Sequence, residues 1–135
     1  MSQLEIRRAL EGALNAMTPA LATAWENDVF TPPVPTVAYQ QAYILFATPD
    51  NPESGTGYRE LGYMQVTLRY PLQGGVAAVA TRAAAIRAAF IKNTSFTSAG
   101  VVTTISKTPA IGNGVVDGDR WSVPVKIPFH ANIFN

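Results

Sequence analysis

The chain has no cysteine, one histidine and few charges. Without a thiol, structural disulfides, thiolate zinc sites and cysteine nucleophiles are excluded. The single imidazole, His130, gives a catalytic triad no choice of base, and its place in the last apolar stretch reads more simply as a solvated or interfacial histidine. Charged residues make up 14% of the sequence, against about 25% in an average soluble domain. Bases and acids nearly balance, 10 against 9, for a net charge of +1. That balance argues against an electrostatic nucleic-acid binder and against an enzyme of acidic substrates. Hydrophobic residues reach 47%, so part of the surface is expected to be kept for a partner. No apolar run approaches the ~20 residues of a membrane span, and no basic segment followed by an apolar core opens the chain. The expectation is a cytoplasmic protein.

At 135 residues the chain reads as a single domain, 1–135, large enough to bury roughly two-thirds of the surface its unfolded form exposes. Its organising stretch is 61–92, a strand followed by two glycines and a long helix. From Gly62 the side chains alternate, with Met64, Val66, Leu68 and Tyr70 on one face and Tyr63, Gln65, Thr67 and Arg69 on the other. That is the pattern of a half-buried strand. Pro71, which has no N–H for a ladder, ends it, and Gly74 and Gly75 supply the freedom to turn into the helix. At about 100° per residue, Val76, Val79, Ala83, Ile86 and Phe90 fall on one stripe. Burying its four larger members is worth about 1.5–3 kcal/mol each, so the stripe is expected to dock on a sheet. The opposite side carries Ala77, Ala78, Ala84, Ala85, Ala88 and Ala89. Two readings stand: alanine favours helix more than any other residue and the face is simply bare, or a smooth face lets another helix or subunit come close.

Ahead of this stretch, Ser2 and Glu5 form a capping box, and Ile6, Leu10, Ala13, Leu14 and Met17 a buried helical stripe. Arg7, Arg8, Glu11 and Asn15 lie opposite, with Arg7 and Glu11 spaced for a weak pair. Thr18, before Pro19, is pushed out of helical geometry. Residues 21–26 read as a short strand, and 31–36, with Pro32, Pro33 and Pro35, as polyproline geometry at the surface or along a partner. Residues 42–48 are the most apolar strand, Tyr43 and Leu45 on one face and Ile44 and Phe46 on the other, and both faces are expected to be covered. The turn formers of 49–57 join it to the next strand as an antiparallel pair with a long tip, and loops of this length are more often functional than idle.

After the helix, 101–108 is a β-branched strand and 109–118 a second long loop. In the final strand Trp121, Val123, Val125, Ile127 and Phe129 face inward, while Arg120, Ser122, Pro124, Lys126, Pro128 and His130 face outward. Pro124 and Pro128 lack donors on the same side, which predicts an edge strand. The order helix, strands, helix, strands predicts an α+β fold: one mostly antiparallel β-sheet with two α-helices packed on one face.

Sites of chemistry are sparse. Asp117 and Asp119 flank Gly118, but the rest of a calcium loop is missing and a tight turn accounts for the triplet. Gly74 and Gly75 match neither of the glycine-rich phosphate-binding patterns. Asp50, Glu53 and Glu60 lie close in sequence with nothing to set one pKa against another. The reading is no active site, no metal and no cofactor.

In order along the chain stand SQLEIRRALEGAL, TAWENDVFTPP, YILFATPDNPESGTGYRELG, QVTLRYPL before an alanine-rich helix, and VDGDRWSVPVKIPF. The series, with Trp25-Glu26-Asn27, Pro32-Pro33, Asp50-Asn51-Pro52, Tyr70-Pro71 and Asp117-Gly118-Asp119-Arg120, resembles the tail terminator-like proteins of long-tailed bacteriophages or prophages over nearly the whole chain. The resemblance implies a structural virion protein at the neck end of the tail, assembled in the host bacterial cytoplasm. Such proteins form a ring, typically homohexameric, on the head-proximal end of the tail tube, where they stop polymerisation and offer the surface that joins the capsid connector. The implied partners are copies of the chain itself, the tail tube protein and a head–tail connector protein, with no nucleic-acid specificity and no membrane. Residues expected to take part in these contacts are Ala77, Arg82, Ala84, Arg87 and Ala88 on the central helix, and Asp50, Glu53 and Tyr58 at the hairpin loop. Two other assignments stay open: another neck or head-completion protein of the connector, and a small ligand-binding domain with a pocket built from residues distant in sequence.

Overall fold

The computed structural model describes residues 2–51 and 55–134. In chain order the elements are α1 (Ser2–Asn15), β1 (Ala22–Trp25), β2 (Tyr39–Phe46), β3 (Tyr58–Pro71), α2 (Ala77–Ala89), β4 (Ser95–Ser98), β5 (Val101–Ile105), β6 (Ala110–Ile111), β7 (Val115–Asp117) and β8 (Arg120–Ile133). The two long strands, β3 and β8, pair antiparallel over their whole length, from Tyr58 against Ile133 to Pro71 against Arg120. β2 joins β3 antiparallel on one side, and β1 adds to β2 in parallel. On its other side β8 takes β5, with β4 beyond it, and then β6 and β7.

Alternation sorts the two faces of this sheet. Ala42 and Ile44 of β2, Met64, Val66 and Leu68 of β3, Ile105 of β5, and Val123, Val125, Ile127 and Phe129 of β8 share one face and are buried. Ile6, Leu10 and Leu14 of α1 close on that face, as do Val79, Ala83 and Ile86 of α2 and Phe90 just beyond it, in one continuous core. This is the α+β arrangement predicted, with both helices on one side. α1 packs on β4 and β5, yet its Arg7 reaches Glu26 just past β1, at 2.8 Å. The sheet therefore curls, and α1 spans its two edges.

β8 is not the edge strand that its prolines suggested. Both prolines do lie on one side, but there β8 meets short partners that are interrupted at the prolines. Pro128 falls between the pairing of Ile105 with Phe129 in β5 and of Ala110 with Lys126 in β6. Pro124 falls between the pairing of Ile111 with Val125 in β6 and of Val115 with Ser122 in β7. Each proline still accepts, Pro128 O from Ser106 N at 3.0 Å and Pro124 O from Gly112 N at 2.8 Å. A strand lacking donors can thus be central where its neighbour breaks at those positions. The same pairing turns the expected loop 109–118 into an arm laid along β8.

Other expectations are also corrected. Val76 is 64% exposed instead of docked, because α2 starts one residue later and leaves Val76 at its N-cap. Only one face of β2 is fully covered, and Leu45 is 47% exposed, since both helices lie on the opposite side. Arg120 and Ser122, read as outward, are buried. The capping box rests on the Ser2 side chain, which lies outside the described set, while Glu5 is buried.

Candidate functional site

The residues expected at contacts do not form one site. α2 turns Ala77, Ala84 and Ala88 to solvent because the helical period sends Val79, Ala83 and Ile86 to the core. The one hydroxyl near the middle of that outer face, Thr81 Oγ1, donates back to Ala77 O at 2.8 Å, so the face presents little besides methyl groups. Arg87 lies at its margin, exposed, with Nε donating to Pro109 O at 3.0 Å.

Arg82 is elsewhere, and the expectation that it flanks an exposed stripe is overturned. It is only 5% exposed, and its Nη1 donates to Pro19 O at 2.5 Å while Nη2 reaches Gln40 Oε1 at 3.4 Å. Burial lowers its pKa, partly countered by Tyr70. The residue ties α2 to β2 and to the link between α1 and β1. Its partners lie far away in sequence, so no local pattern announces it.

The hairpin residues sit at the end of the sheet where β3 begins. Asp50 and Arg59 exchange backbone hydrogen bonds at 2.9 and 2.6 Å, which closes the loop at its base, and Asn51 Nδ2 donates to Gly57 O at 3.3 Å. Asp50 is exposed and Tyr58 half-buried opposite Ile133. Glu53 lies outside the described residues. α2 starts after the other end of β3, so the alanine face and the hairpin tip are separate surfaces.

Three polar clusters missed in the sequence hold these surfaces in place, and they use residues of the recognisable series. Arg120 is 2% exposed; its Nη2 donates to Pro33 O at 2.8 Å and Val34 O at 3.0 Å, and its Nη1 to Val37 O. Arg69 donates to Asp117 Oδ2 at 2.5 Å, to Ser122 Oγ at 3.0 Å and to the Tyr39 hydroxyl at 3.1 Å. The proline segment is therefore strapped along the chain's own sheet, which explains the burial of Arg120 and Ser122. Glu26 Oε1 accepts from both Arg7, at 2.8 Å, and the N–H of Ile44, at 2.6 Å. Burial alone raises the Glu26 carboxyl, but the Arg7 and Ile44 hydrogen bonds and the Arg7 charge outweigh it and hold the pKa below its ordinary value.

Beside this last cluster opens a cleft of about 520 Å³ lined by Arg7, Glu11, Trp25, Glu26, Asn27 and Asp28. A smaller one, about 210 Å³, lies between α2 and the β6–β7 arm with Trp121 on its wall. Among the described residues no group of three or more histidine or acidic side chains is placed to hold a metal ion. His130 is partly buried, and desolvation and then the charge of Arg59 push its pKa down. The geometry at hand is that of an exposed alanine face, an exposed hairpin end and internal clamps.

Comparison with known proteins gives these faces a setting. One solved structure, 29% identical, covers 100% of this chain and 99% of its own with a TM-score of 0.78. No curated protein matches the sequence. The family model described as Phage tail terminator protein matches residues 5–129, from the first turns of α1 to Phe129 in β8. With both helices and nearly all of the sheet inside that match, the chain belongs to the phage tail terminator protein family, whose members are structural components of the phage tail.

Proposed function

We propose that this protein forms a homohexameric ring on the head-proximal end of the tail tube, ends tube growth and presents the surface to which the head connector attaches. The observation that carries this reading is the family match over residues 5–129. The exposed alanine face of α2 supports it, because a helix with a methyl-covered outer side can approach a neighbour without desolvating charge. On this reading each copy offers one surface that fits the last tube ring and another that does not reproduce the tube's growing end. Contacts between unlike surfaces that close through rotation give a finite ring instead of a filament.

The residues assigned to these contacts are Ala77, Ala84, Ala88 and Arg87 on α2, and Asp50, Glu53 and Tyr58 at the hairpin. The ring is assembled in the host cytoplasm from single-domain copies. It performs no catalysis, and its partners are the tube protein and the connector protein.

Purified protein mixed with isolated tail tubes is expected to add density at one end only in negative-stain images. Particles made without it are expected to carry overgrown tails. Tails of normal length that still accept heads would remove the reading, and normal tails on leaking or unjoined heads would move the protein to the connector.

A further inference from the structure

The few charges of this chain are sorted. No acidic residue occurs in 61–116, a stretch holding Arg69, Arg82, Arg87, Lys92 and Lys107, whereas residues 1–60 carry seven of the nine acids. Two of those five cations serve the fold, Arg69 on Asp117 and Arg82 in the interior. The other three converge at the end of α2. Arg87 is held at Pro109 O, two residues from Lys107, and Asn93 N donates to Ile105 O at 2.8 Å, which brings Lys92 to the same turn. All three are exposed, Arg87 lies next to Ala88 and one turn from Ala84, and among the described residues none of the three has an ion-pair partner. A helix C-terminus favours cations, but that effect fades within a turn and does not explain a long stretch without acids.

The cleft beside α1 has the reverse character. Glu11, Glu26 and Asp28 line it against one cation, Arg7, which is already engaged by Glu11 at 3.3 Å and Glu26 at 2.8 Å. Among the described residues the exposed Asp28 carboxylate accepts only the N–H of Val29, at 2.9 Å. Uncompensated negative charge next to the indole of Trp25 is the surrounding in which a lysine or arginine from outside is held, by ion pairing and by the ring face.

We propose that these surfaces are the two halves of one contact between copies of this chain: the cationic corner of Arg87, Lys92 and Lys107 enters the acidic cleft of the next copy. This inference rests on the ring reading given above and names its joint. Charge complementarity selects a second copy as the occupant, since each chain carries both signs on different surfaces. Such a contact is head-to-tail and leaves one unsatisfied corner and one unsatisfied cleft until a ring closes. The bare alanines beside the corner let α2 come close as the charges meet.

Two charge-reversed variants test it, Lys92→Glu with Lys107→Glu, and Glu11→Lys with Asp28→Lys; Arg87 and Glu26 stay because each already bonds a neighbour within the chain, Pro109 O for the one and Arg7 and Ile44 for the other. Each is checked for folding by circular dichroism and then scored by native mass spectrometry and by occupancy of isolated tube ends. Each alone is expected to lose ring occupancy by about tenfold or more. An equimolar mixture is expected to restore rings in which the two variants alternate, because every joint again pairs opposite signs. Wild-type occupancy with either variant alone, or no recovery on mixing two folded variants, overturns the proposal and leaves the ring reading standing. Should a reversal fail to fold, Lys107→Gln and Asp28→Asn are expected to weaken the loss of wild-type rings between about 50 and about 500 mM salt; an unchanged salt response overturns the joint. Wild-type protein that rings no tube end at any salt removes the ring reading itself.

Discussion

Arg120 stands over Tyr39, its guanidinium carbon 4.8 Å from the ring centroid, and from there grips the carbonyls of Pro33, Val34 and Val37. One cation thus fastens a segment with no regular backbone pairing to the end of β8. Lysine keeps the charge but not the planar fork. Arg120→Lys is expected to cost about 2–3 kcal/mol and Arg120→Ala about 3–5 kcal/mol, the latter emptying the buried site of the arginine and taking the donor from the Pro33 and Val37 carbonyls. Urea unfolding measures both, with the exposed Arg8→Ala as a control expected within about 0.5 kcal/mol of wild type. An unchanged midpoint for Arg120→Lys would show that the strap does not depend on the fork.

Glycines give a paired prediction of opposite sign. A Cβ on Gly62 would stand 2.1 Å from Leu45 O, a backbone atom of the neighbouring strand that cannot step aside. Gly12, inside α1, has nothing within 4 Å of the same position. Gly62→Ala is therefore expected to lose about 2 kcal/mol or more, or to fail to fold. Gly12→Ala is expected to gain about 0.5–1 kcal/mol from helix propensity and a stiffer unfolded chain. Thermal melts of the two variants beside wild type decide it.

Acid sensitivity follows from Glu26. Its folded pKa lies below the ordinary carboxylate value, so the stability it contributes is present above that value and is lost as pH falls through the folded one. Glu11 has the opposite sign: burial raises it despite Arg7, so its contribution is present below its ordinary value and fades as pH rises through the folded pKa. His130, pushed down, adds a loss as pH drops through the range just below the ordinary histidine value. Subtracting a Glu26→Gln profile from wild type removes the shared terms. Because the Glu26 side chain is more than a third exposed and its charge is screened by solvent, the difference is expected to be at most about 0.5 kcal/mol near neutral pH and to vanish in acid below the ordinary carboxylate range. A difference that persists there would assign the loss to packing at Trp25 and not to charge.

The sequence made the main sheet and helix faces readable because each long element has one dominant period. Met64, Val66 and Leu68 keep period two and Val79, Ala83 and Ile86 keep the helical one, and all are buried. What stayed hidden depends on partners across the chain. Arg120 meets carbonyls 83 to 87 residues away and Arg82 meets Pro19 63 residues away, so both read as surface cations. The shared side of Pro124 and Pro128 was legible, but not that short strands would fill the spaces around them. The cleft at Glu26 joins two segments, and only the Arg7 and Glu11 spacing within α1 showed locally.

The alanine face supplies the remaining test. Ala84 and Ala88 are exposed one helical turn apart, where glutamate costs at most about 0.5 kcal/mol of helix propensity, so Ala84→Glu and Ala88→Glu should fold as wild type does. At a contact the same carboxylates would be stripped of water, and next to Arg87 and Lys92 they would cancel the charge that the corner presents. Tails assembled with either variant are therefore expected to be longer and more variable in length than wild type, with fewer joined heads, as measured in negative-stain images against a circular dichroism control. The two effects separate by position, because Ala77→Glu, at the far end of the helix from the cations, disturbs the smooth face without neutralising the corner. A long-tail phenotype in all three assigns the loss to close approach, and one confined to Ala84→Glu and Ala88→Glu assigns it to charge. Normal tails at wild-type yield from all three variants would take α2 out of the interface.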